Sequence, residues 1–171
     1  MSIKGDLHIQ SKMGVRANSQ SSLRILVVDD EPSILTLVKT ALETREHYQI
    51  STASSALSAI DVIQSAEQPF DFFLFDIQMP STDGIELLRK VRGIPEYTYT
   101  PVLFLTAMTD QKYVDDAFMD GANDYVTKPF DFLDLLKRIN VVHSLVMSRR
   151  ETENPRNAQA ISDVNWKPSS S

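Results

Sequence analysis

The sequence predicts an α/β fold with a parallel sheet, because strand and helix patterns alternate five times with short connections. Two apolar runs, residues 72–75 and 102–105, are short and apolar at every position. Runs of this kind are typical of strands buried on both faces of a sheet. Each run is followed by a polar residue, a loop and then a helical pattern. Helices on both faces of a parallel sheet therefore account for the pattern.

The remaining elements follow in chain order. Strand patterns occupy residues 23–28, 48–52, 72–75, 102–105 and 124–127. Pro80 and Gly84 mark a loop after the third strand. Helical patterns begin at Pro32, which suits a first helical turn, and continue over residues 56–63, 85–92, 110–120 and from 131 onward. Asp83 is well placed to cap the third helix, and Gly121 is well placed to end the fourth in a left-handed conformation.

The length and polarity of the chain predict one domain with two tails. The 171 residues suffice for a single core. We expect a flexible N-terminal arm over residues 1–22, a folded domain over residues 23–147, and a polar tail or truncated linker over residues 148–171. Trp166, the single tryptophan, is expected to be an exposed residue of that linker.

The composition excludes several classes of function. A formal net charge of −6 disfavours direct nucleic-acid binding, because the cations that neutralise phosphates are in deficit. The absence of cysteine excludes disulfides, cysteine zinc sites and thiol catalysis. No apolar run is long enough to span a bilayer, and the N-terminal stretch lacks the apolar core of a secretory signal. We therefore expect a cytoplasmic protein without membrane contact.

Polar side chains follow four of the five predicted strands, at the point where each strand ends. Asp29 and Asp30 follow the first strand, Asp76 the third, Thr106 the fourth and Lys128 the fifth. In a parallel sheet the carboxyl ends of the strands lie at one edge, which is where ligands bind in open α/β folds. Groups spread over about a hundred residues of sequence are therefore expected to converge.

The chemistry of this set favours phosphoryl transfer. Three carboxylates in one pocket repel one another and raise one another's pKa values. Lys128 offsets one charge, and an all-oxygen carboxylate site with room for water suits Mg²⁺. A metal, a lysine and a threonine hydroxyl can hold three phosphoryl oxygens while Asp76 attacks phosphorus in line.

Each of these signals taken alone has a common structural explanation. An aspartate pair before a helix usually caps it, a lysine before proline usually lies in a solvated loop, and a threonine after a strand is often a β-branched filler. The joint placement at one end of successive strands is what points to a site.

Residues 23–147 resemble the receiver domain of bacterial two-component response regulators. The resemblance rests on residues 27–31, on 76–80 together with Asp83 and Gly84, on 105–107 and on 121–130. It implies a flavodoxin-like (βα)5 fold, a doubly wound parallel sheet with strand order 2-1-3-4-5.

The resemblance also implies a phosphoacceptor and a metal site. Asp76 would accept a phosphoryl group from a histidine kinase or a histidine phosphotransfer protein. Asp29, Asp30 and Asp76 would hold Mg²⁺ together with the main-chain carbonyl of Gln78. Such a domain is a signalling switch, whose only chemistry is self-phosphorylation from a donor and autodephosphorylation.

The resemblance further implies a switch. Thr106 and Lys128 would bind the phosphoryl oxygens, and Thr106 would move toward the phosphoryl group while Tyr125 swings inward. This would remodel the surface of helix 4, strand 5 and helix 5, where partners bind. Gln78 and Met108 would flank the route of water to the phosphoryl group.

The implied partners beyond the kinase are a downstream protein target or output domain, and a second copy through the helix 4, strand 5 and helix 5 face. Asp124, Asp134 and Arg138 fit the charge pairs through which winged-helix regulators dimerise. Val114 and Leu145 stand where those regulators carry basic residues. Val114 and Tyr113 on this face would favour a less polar contact.

Two other functions compete with the switch. A flavodoxin-like cofactor binder needs an amide-lined loop after the first strand, whereas residues 29–31 are all acidic and repel phosphate without a metal. A metal-dependent phosphohydrolase usually has a second acid two residues after its nucleophile and a domain that encloses the substrate. Here that residue is Gln78. Flavin absorbance would support the first alternative, and turnover of phosphomonoesters the second.

Overall fold

The computed structural model describes residues 22–45, 48–107 and 111–153. Most of the expected N-terminal arm, together with Met108 and Trp166, lies outside the described residues.

Five parallel strands form one sheet in the part of the chain that is described. They are β1 (Leu23–Val28), β2 (Tyr48–Ala53), β3 (Phe72–Asp76), β4 (Val102–Thr106) and β5 (Asp124–Thr127). Their order is β2-β1-β3-β4-β5, and every neighbouring pair is parallel. The predicted α/β fold and the strand order 2-1-3-4-5 are therefore confirmed.

The helices alternate with the strands. They are α1 (Pro32–Glu43), α2 (Ala56–Ser65), α3 (Gly84–Arg92), α4 (Gln111–Met119) and α5 (Phe132–Glu153), with a short 3₁₀ turn at Pro95–Tyr97. The Asp83 side chain caps α3 by accepting from the Glu86 N–H at 2.8 Å. Gly121 has a φ of 96°, as expected for a residue that follows a helix in the left-handed region. Among the described helices, none combines the length and apolar character that crossing a membrane requires.

The two faces of the sheet carry separate apolar layers. Phe73 and Phe75 point into the layer formed with α2, α3 and α4. Phe72 and Leu74 point into the opposite layer, formed with α1 and α5. All four side chains are fully buried, which explains why this strand is apolar at every position rather than at alternate ones.

β3 and β4 each extend one residue beyond their apolar runs. Asp76 is the last residue of β3 and pairs in register with Leu105, while Thr106 ends β4 and pairs with Thr127. Both polar residues are thus part of the sheet rather than of the loops that follow. Their backbones are held by neighbouring strands at the carboxyl edge.

Candidate functional site

Three carboxylates converge at the carboxyl edge of the sheet. One oxygen from each of Asp29, Asp30 and Asp76 lies within 4.8 Å of the other two. Asp29 and Asp76 are buried and Asp30 is half-buried. Carboxylate oxygens at this spacing, with one side open to solvent, match the ligands and the residual hydration that Mg²⁺ prefers.

Two of these carboxylates are oriented by their own backbone turns. Asp29 Oδ1 accepts a hydrogen bond from the Glu31 N–H at 2.9 Å. Asp76 Oδ1 accepts from the Gln78 N–H at 3.0 Å. In both residues the side chain bonds to the backbone two positions ahead, which is a common role of aspartate where a strand enters a loop. The second oxygen of each carboxylate is thereby directed to the same point.

Lys128 occupies that point. Its Nζ lies 2.6 Å from Asp29 Oδ2 and 2.8 Å from Asp76 Oδ2, and its side chain is only 10% exposed. The N–H of Lys128 donates to the Thr106 carbonyl at 2.8 Å, so the loop after β5 is tied to the end of β4. The ammonium therefore bridges two strands that are 47 residues apart in sequence.

Burial and charge shift the pKa values of this pair. Burial raises the pKa of Asp29; the hydrogen bonds from Lys128 and from the Glu31 N–H offset this only in part, and the charge of Asp76 adds to it. Burial opposes the protonated form of Lys128, but its hydrogen bonds to Asp29 and Asp76 outweigh burial and raise its pKa. The lysine stays charged while the carboxylates around it exceed it in number, which favours binding of a further cation.

The sequence-predicted switch residues lie beside this cluster. Thr106 is fully buried at the end of β4. Tyr125 is half-buried on β5, and its ring meets that of Phe118 on α4 edge-on, with centroids 6.1 Å apart. Tyr125 thus connects the edge strand of the sheet to the helix expected to move.

The loop after β3 closes more tightly than the sequence alone indicates. The Gly84 N–H donates to the Ile77 carbonyl at 2.9 Å, and a Cβ on Gly84 would lie 2.0 Å from the Asp76 carbonyl oxygen. Only glycine fits this position without moving the backbone of Asp76. The sequence shows Gly84 only as a residue of the loop motif after Asp76 and does not reveal this close approach to the backbone of the candidate phosphoacceptor.

A family model for the response regulator receiver domain matches residues 25–140. The chain belongs to this family. Response regulators are phosphoacceptor proteins of two-component signalling, and the resemblance stated from the motifs is confirmed.

Individual relatives give the same answer. This receiver domain is 34% identical over 129 residues to the transcriptional regulatory protein KdpE of Staphylococcus aureus. The aligned region covers 75% of this chain and 53% of KdpE. It is 39% identical over 119 residues to the transcriptional regulatory protein TrcR of Mycobacterium tuberculosis, covering 70% of this chain and 44% of that protein. The chain therefore spans about half the length of the curated relatives it matches.

A solved structure shows the same fold. The chemotaxis protein CheY4 of Vibrio cholerae superposes with a TM-score of 0.67 at 32% identity, covering 71% of this chain and 99% of that one. The match extends over essentially all of CheY4, so the flavodoxin-like arrangement of this receiver domain is complete.

The expected dimer face of the receiver domain carries its charges in an intrachain network. Arg138 Nη1 lies 2.8 Å from Asp124 Oδ2, and Arg138 Nε lies 2.9 Å from Asp134 Oδ2. Val114 is buried, so the expectation that it offers an apolar contact on this face is wrong. Tyr113, which was expected to share that contact, is 41% exposed, and Leu145 is 58% exposed. The dimer itself stays a prediction.

Proposed function

We propose that Asp76 is the phosphoacceptor of this receiver domain. The observation that carries the proposal is the bridge from Lys128 to Asp76 and Asp29, with Asp30 in the same cluster. One ammonium and two further carboxylates around a strand-terminal carboxylate provide a nucleophile, a cation for the phosphoryl group and ligands for a metal.

The transfer forms one bond and breaks another. A carboxylate oxygen of Asp76 attacks the phosphorus of a phosphohistidine on a kinase or phosphotransfer protein. The P–N bond breaks, and the imidazole leaves with the bonding electron pair and takes up a proton from water. The product is an aspartyl phosphate, an acyl phosphate that water can later hydrolyse.

Residues of this chain hold the phosphoryl group and the metal. We assign Asp29, Asp30, Asp76 and the main-chain carbonyl of Gln78 as ligands of Mg²⁺. When bound, Mg²⁺ supplies charge to neutralise the transferring phosphoryl group.

Lys128 and Thr106 bind the phosphoryl oxygens in this proposal. The ammonium of Lys128 already faces Asp76, and it exchanges a carboxylate oxygen for a phosphoryl oxygen as the group arrives. Thr106 moves its hydroxyl toward another phosphoryl oxygen, and Tyr125 turns inward and leaves its contact with Phe118. The surface formed by α4, β5 and α5 then changes.

The partners follow from this surface. A histidine kinase or histidine phosphotransfer protein donates the phosphoryl group, and a downstream protein target or an output domain reads the changed surface, as does a second copy if the domain dimerises. We place this switch in the cytoplasm, acting without direct contact of this chain with nucleic acid or membrane.

The test is phosphorylation with acetyl phosphate and Mg²⁺, followed by intact-mass measurement. We expect one phosphoryl group per chain in the unaltered protein and none in Asp76→Asn. The matched control is Asp83→Asn, because asparagine replaces aspartate equally well as the cap of α3; it should be labelled normally. A label that persists in Asp76→Asn, or several labels per chain, would contradict the assignment.

A further inference from the structure

Glu31 carries a carboxylate whose role the helix does not explain. It occupies the N-cap position of α1, but its side chain makes no capping hydrogen bond. Instead its Oε1 lies 3.4 Å from Lys128 Nζ, across 97 residues of sequence. The side chain is 57% exposed, so this carboxylate stands at the solvent-facing rim of the site.

Glu31 is not required to hold Lys128 in place. The contacts of the ammonium with Asp29 and Asp76 are shorter, and both of those carboxylates are buried. An exposed ion pair at the longest of three distances contributes little to stability. The position of the Glu31 carboxylate therefore affects what approaches the site more than it affects the fold.

The charge of Glu31 decides whether the metal-loaded site has a net negative charge. Four carboxylates and one ammonium give the cluster a formal charge of −3. A divalent cation would leave −1, and without Glu31 the same loaded site would be neutral. Glu31 is thus the residue that keeps the entrance negative after metal binding.

We propose that Glu31 is a specificity-determining residue that disfavours small anionic phosphodonors. This inference rests on the proposed function of Asp76. In the reaction with acetyl phosphate the P–O bond to acetate breaks, acetate leaves with the electron pair, and the new bond forms to Asp76. The approaching donor is anionic throughout, so it is repelled by Glu31 at the rim.

A phosphohistidine donor carries the same anionic group but does not approach alone. A donor protein that presents a lysine or arginine to the exposed Glu31 carboxylate converts the repulsion into an attraction. The same glutamate thereby lowers phosphorylation by free metabolite-like donors and leaves phosphorylation by such a protein donor unimpaired. This is discrimination through an unfavourable contact with the wrong donor.

The test compares the full chain with Glu31→Gln, Glu31→Asp and Glu43→Gln at saturating Mg²⁺. The measured quantity is the ratio of the maximal labelling rate to KM for acetyl phosphate, at low and at high ionic strength. Glu31→Asp keeps the charge, and Glu43→Gln removes an equal charge from the far end of α1, where Glu43 pairs with Lys39. Thermal melting verifies that each variant is folded.

Glu31→Gln should raise this ratio about three-fold at low ionic strength, the effect of one charge several ångströms away in a largely aqueous setting. The gain should vanish near ~1 M salt, where the screening length is about 3 Å. It should be smaller with phosphoramidate, a less negative donor. Both other variants should match the unaltered protein.

Contrary results are distinct from failure of the proposed function. An unchanged or lower ratio in folded Glu31→Gln overturns the inference, as does a gain that is equal for both donors or insensitive to salt. Labelling of Asp76 would still stand in each of those cases. If the unaltered protein takes no label on Asp76, the proposed function itself fails.

Discussion

A half-buried cation lies at each end of the strands, and the two cations have opposite surroundings. Lys128 at the carboxyl edge is surrounded by carboxylates, with Asp29 and Asp76 as its closest partners. Arg92 ends α3 at the amino edge and donates to the main-chain carbonyls of Tyr97, Thr100 and Gly121 at 2.7–2.8 Å. One cation faces an excess of negative charge, and the other faces neutral acceptors.

The pKa shifts of the two side chains reflect this difference. Ion pairing raises the pKa of Lys128 despite burial. Burial lowers the pKa of Arg92 to about 10, which still leaves the guanidinium charged at neutral pH. Arg92 ties the turns before β4 and β5 to the end of α3, whereas Lys128 joins groups that would otherwise repel one another.

The comparison teaches that stability and chemistry are supplied from opposite ends of the same strands. The Nη1 and Nη2 atoms of Arg92 donate to three main-chain carbonyls, so these contacts favour the folded chain. At the carboxyl edge the pKa of Asp29 is raised despite the neighbouring Lys128, so the charge of Asp29 opposes folding at neutral pH until a further cation binds. A region that stores unfavourable charge is expected where ligands bind.

The largest expected effect is on the labelling rate, when Lys128 is removed from the carboxyl edge. Lys128→Ala should lower the initial rate of labelling by acetyl phosphate about 10²-fold, because the ammonium that offsets charge on the phosphoryl group is lost. Mg²⁺ binding should persist, since Asp29, Asp30 and Asp76 remain, but beryllofluoride should no longer change the NMR environment of Tyr125. Lys39→Ala, an exposed site on α1, is the control. Labelling of Lys128→Ala at the unaltered rate would contradict the comparison.

The next largest effect is on the free energy of unfolding, when Arg92 is replaced at the amino edge. Arg92→Met keeps an apolar stem but removes the guanidinium donors from the carbonyls of Tyr97, Thr100 and Gly121, of which Tyr97 keeps the Thr100 N–H. The free energy of unfolding should therefore fall by about 2–4 kcal/mol. Urea denaturation measures this as a lower midpoint with an unchanged slope. The labelling rate of the folded variant should be unchanged.

The control for Arg92 is Arg89→Ala, which removes an exposed ion pair with Asp120. Its effect should stay below about 1 kcal/mol. Equal losses of unfolding free energy in the two variants would show that the three carbonyl contacts do not stabilise the fold more than a surface ion pair does. Loss of labelling in folded Arg92→Met would show that the amino edge also contributes to the chemistry.

The smallest expected effect is a gain in stability, and it tests whether charge repulsion at the carboxyl edge opposes folding. Asp30→Asn removes one like charge beside Asp29 and Asp76, so the metal-free protein should gain about 0.5–1 kcal/mol. The rise in Tm on adding Mg²⁺ should shrink, because ligand binding stabilises in proportion to affinity. Asp61→Asn on the exposed face of α2 should change neither quantity. A destabilised Asp30→Asn that still responds fully to Mg²⁺ would argue against stored repulsion.

The sequence could predict the fold and the convergence of Asp29, Asp30, Asp76 and Lys128 for one physical reason. Strands of a parallel sheet begin and end at common edges, so a polar residue directly after each apolar run has a known place in three dimensions. The apolar runs underestimated β3 and β4 by one residue each, because apolarity ends before backbone pairing does.

The contacts that were missed depend on close approach between segments whose side chains carry no periodic signal. Glu31 was treated with the aspartates before it, and nothing local indicates that it turns from the α1 N-terminus toward Lys128. Arg92 is one of several basic residues near the end of α3, and its carbonyl partners lie in a short 3₁₀ turn and in the loops before β4 and β5. Gly84 required knowledge of how tightly the β3–α3 loop closes.

The central claim is that the phosphoryl group is carried by Asp76, and chemical trapping tests it most directly. The full chain is incubated with acetyl phosphate and Mg²⁺, reduced with borohydride, which converts an aspartyl phosphate to homoserine, and digested for peptide sequencing by mass spectrometry. The account predicts homoserine at position 76 and at no other aspartate. Homoserine at position 29 or 30 instead, with Asp76 intact, would contradict it.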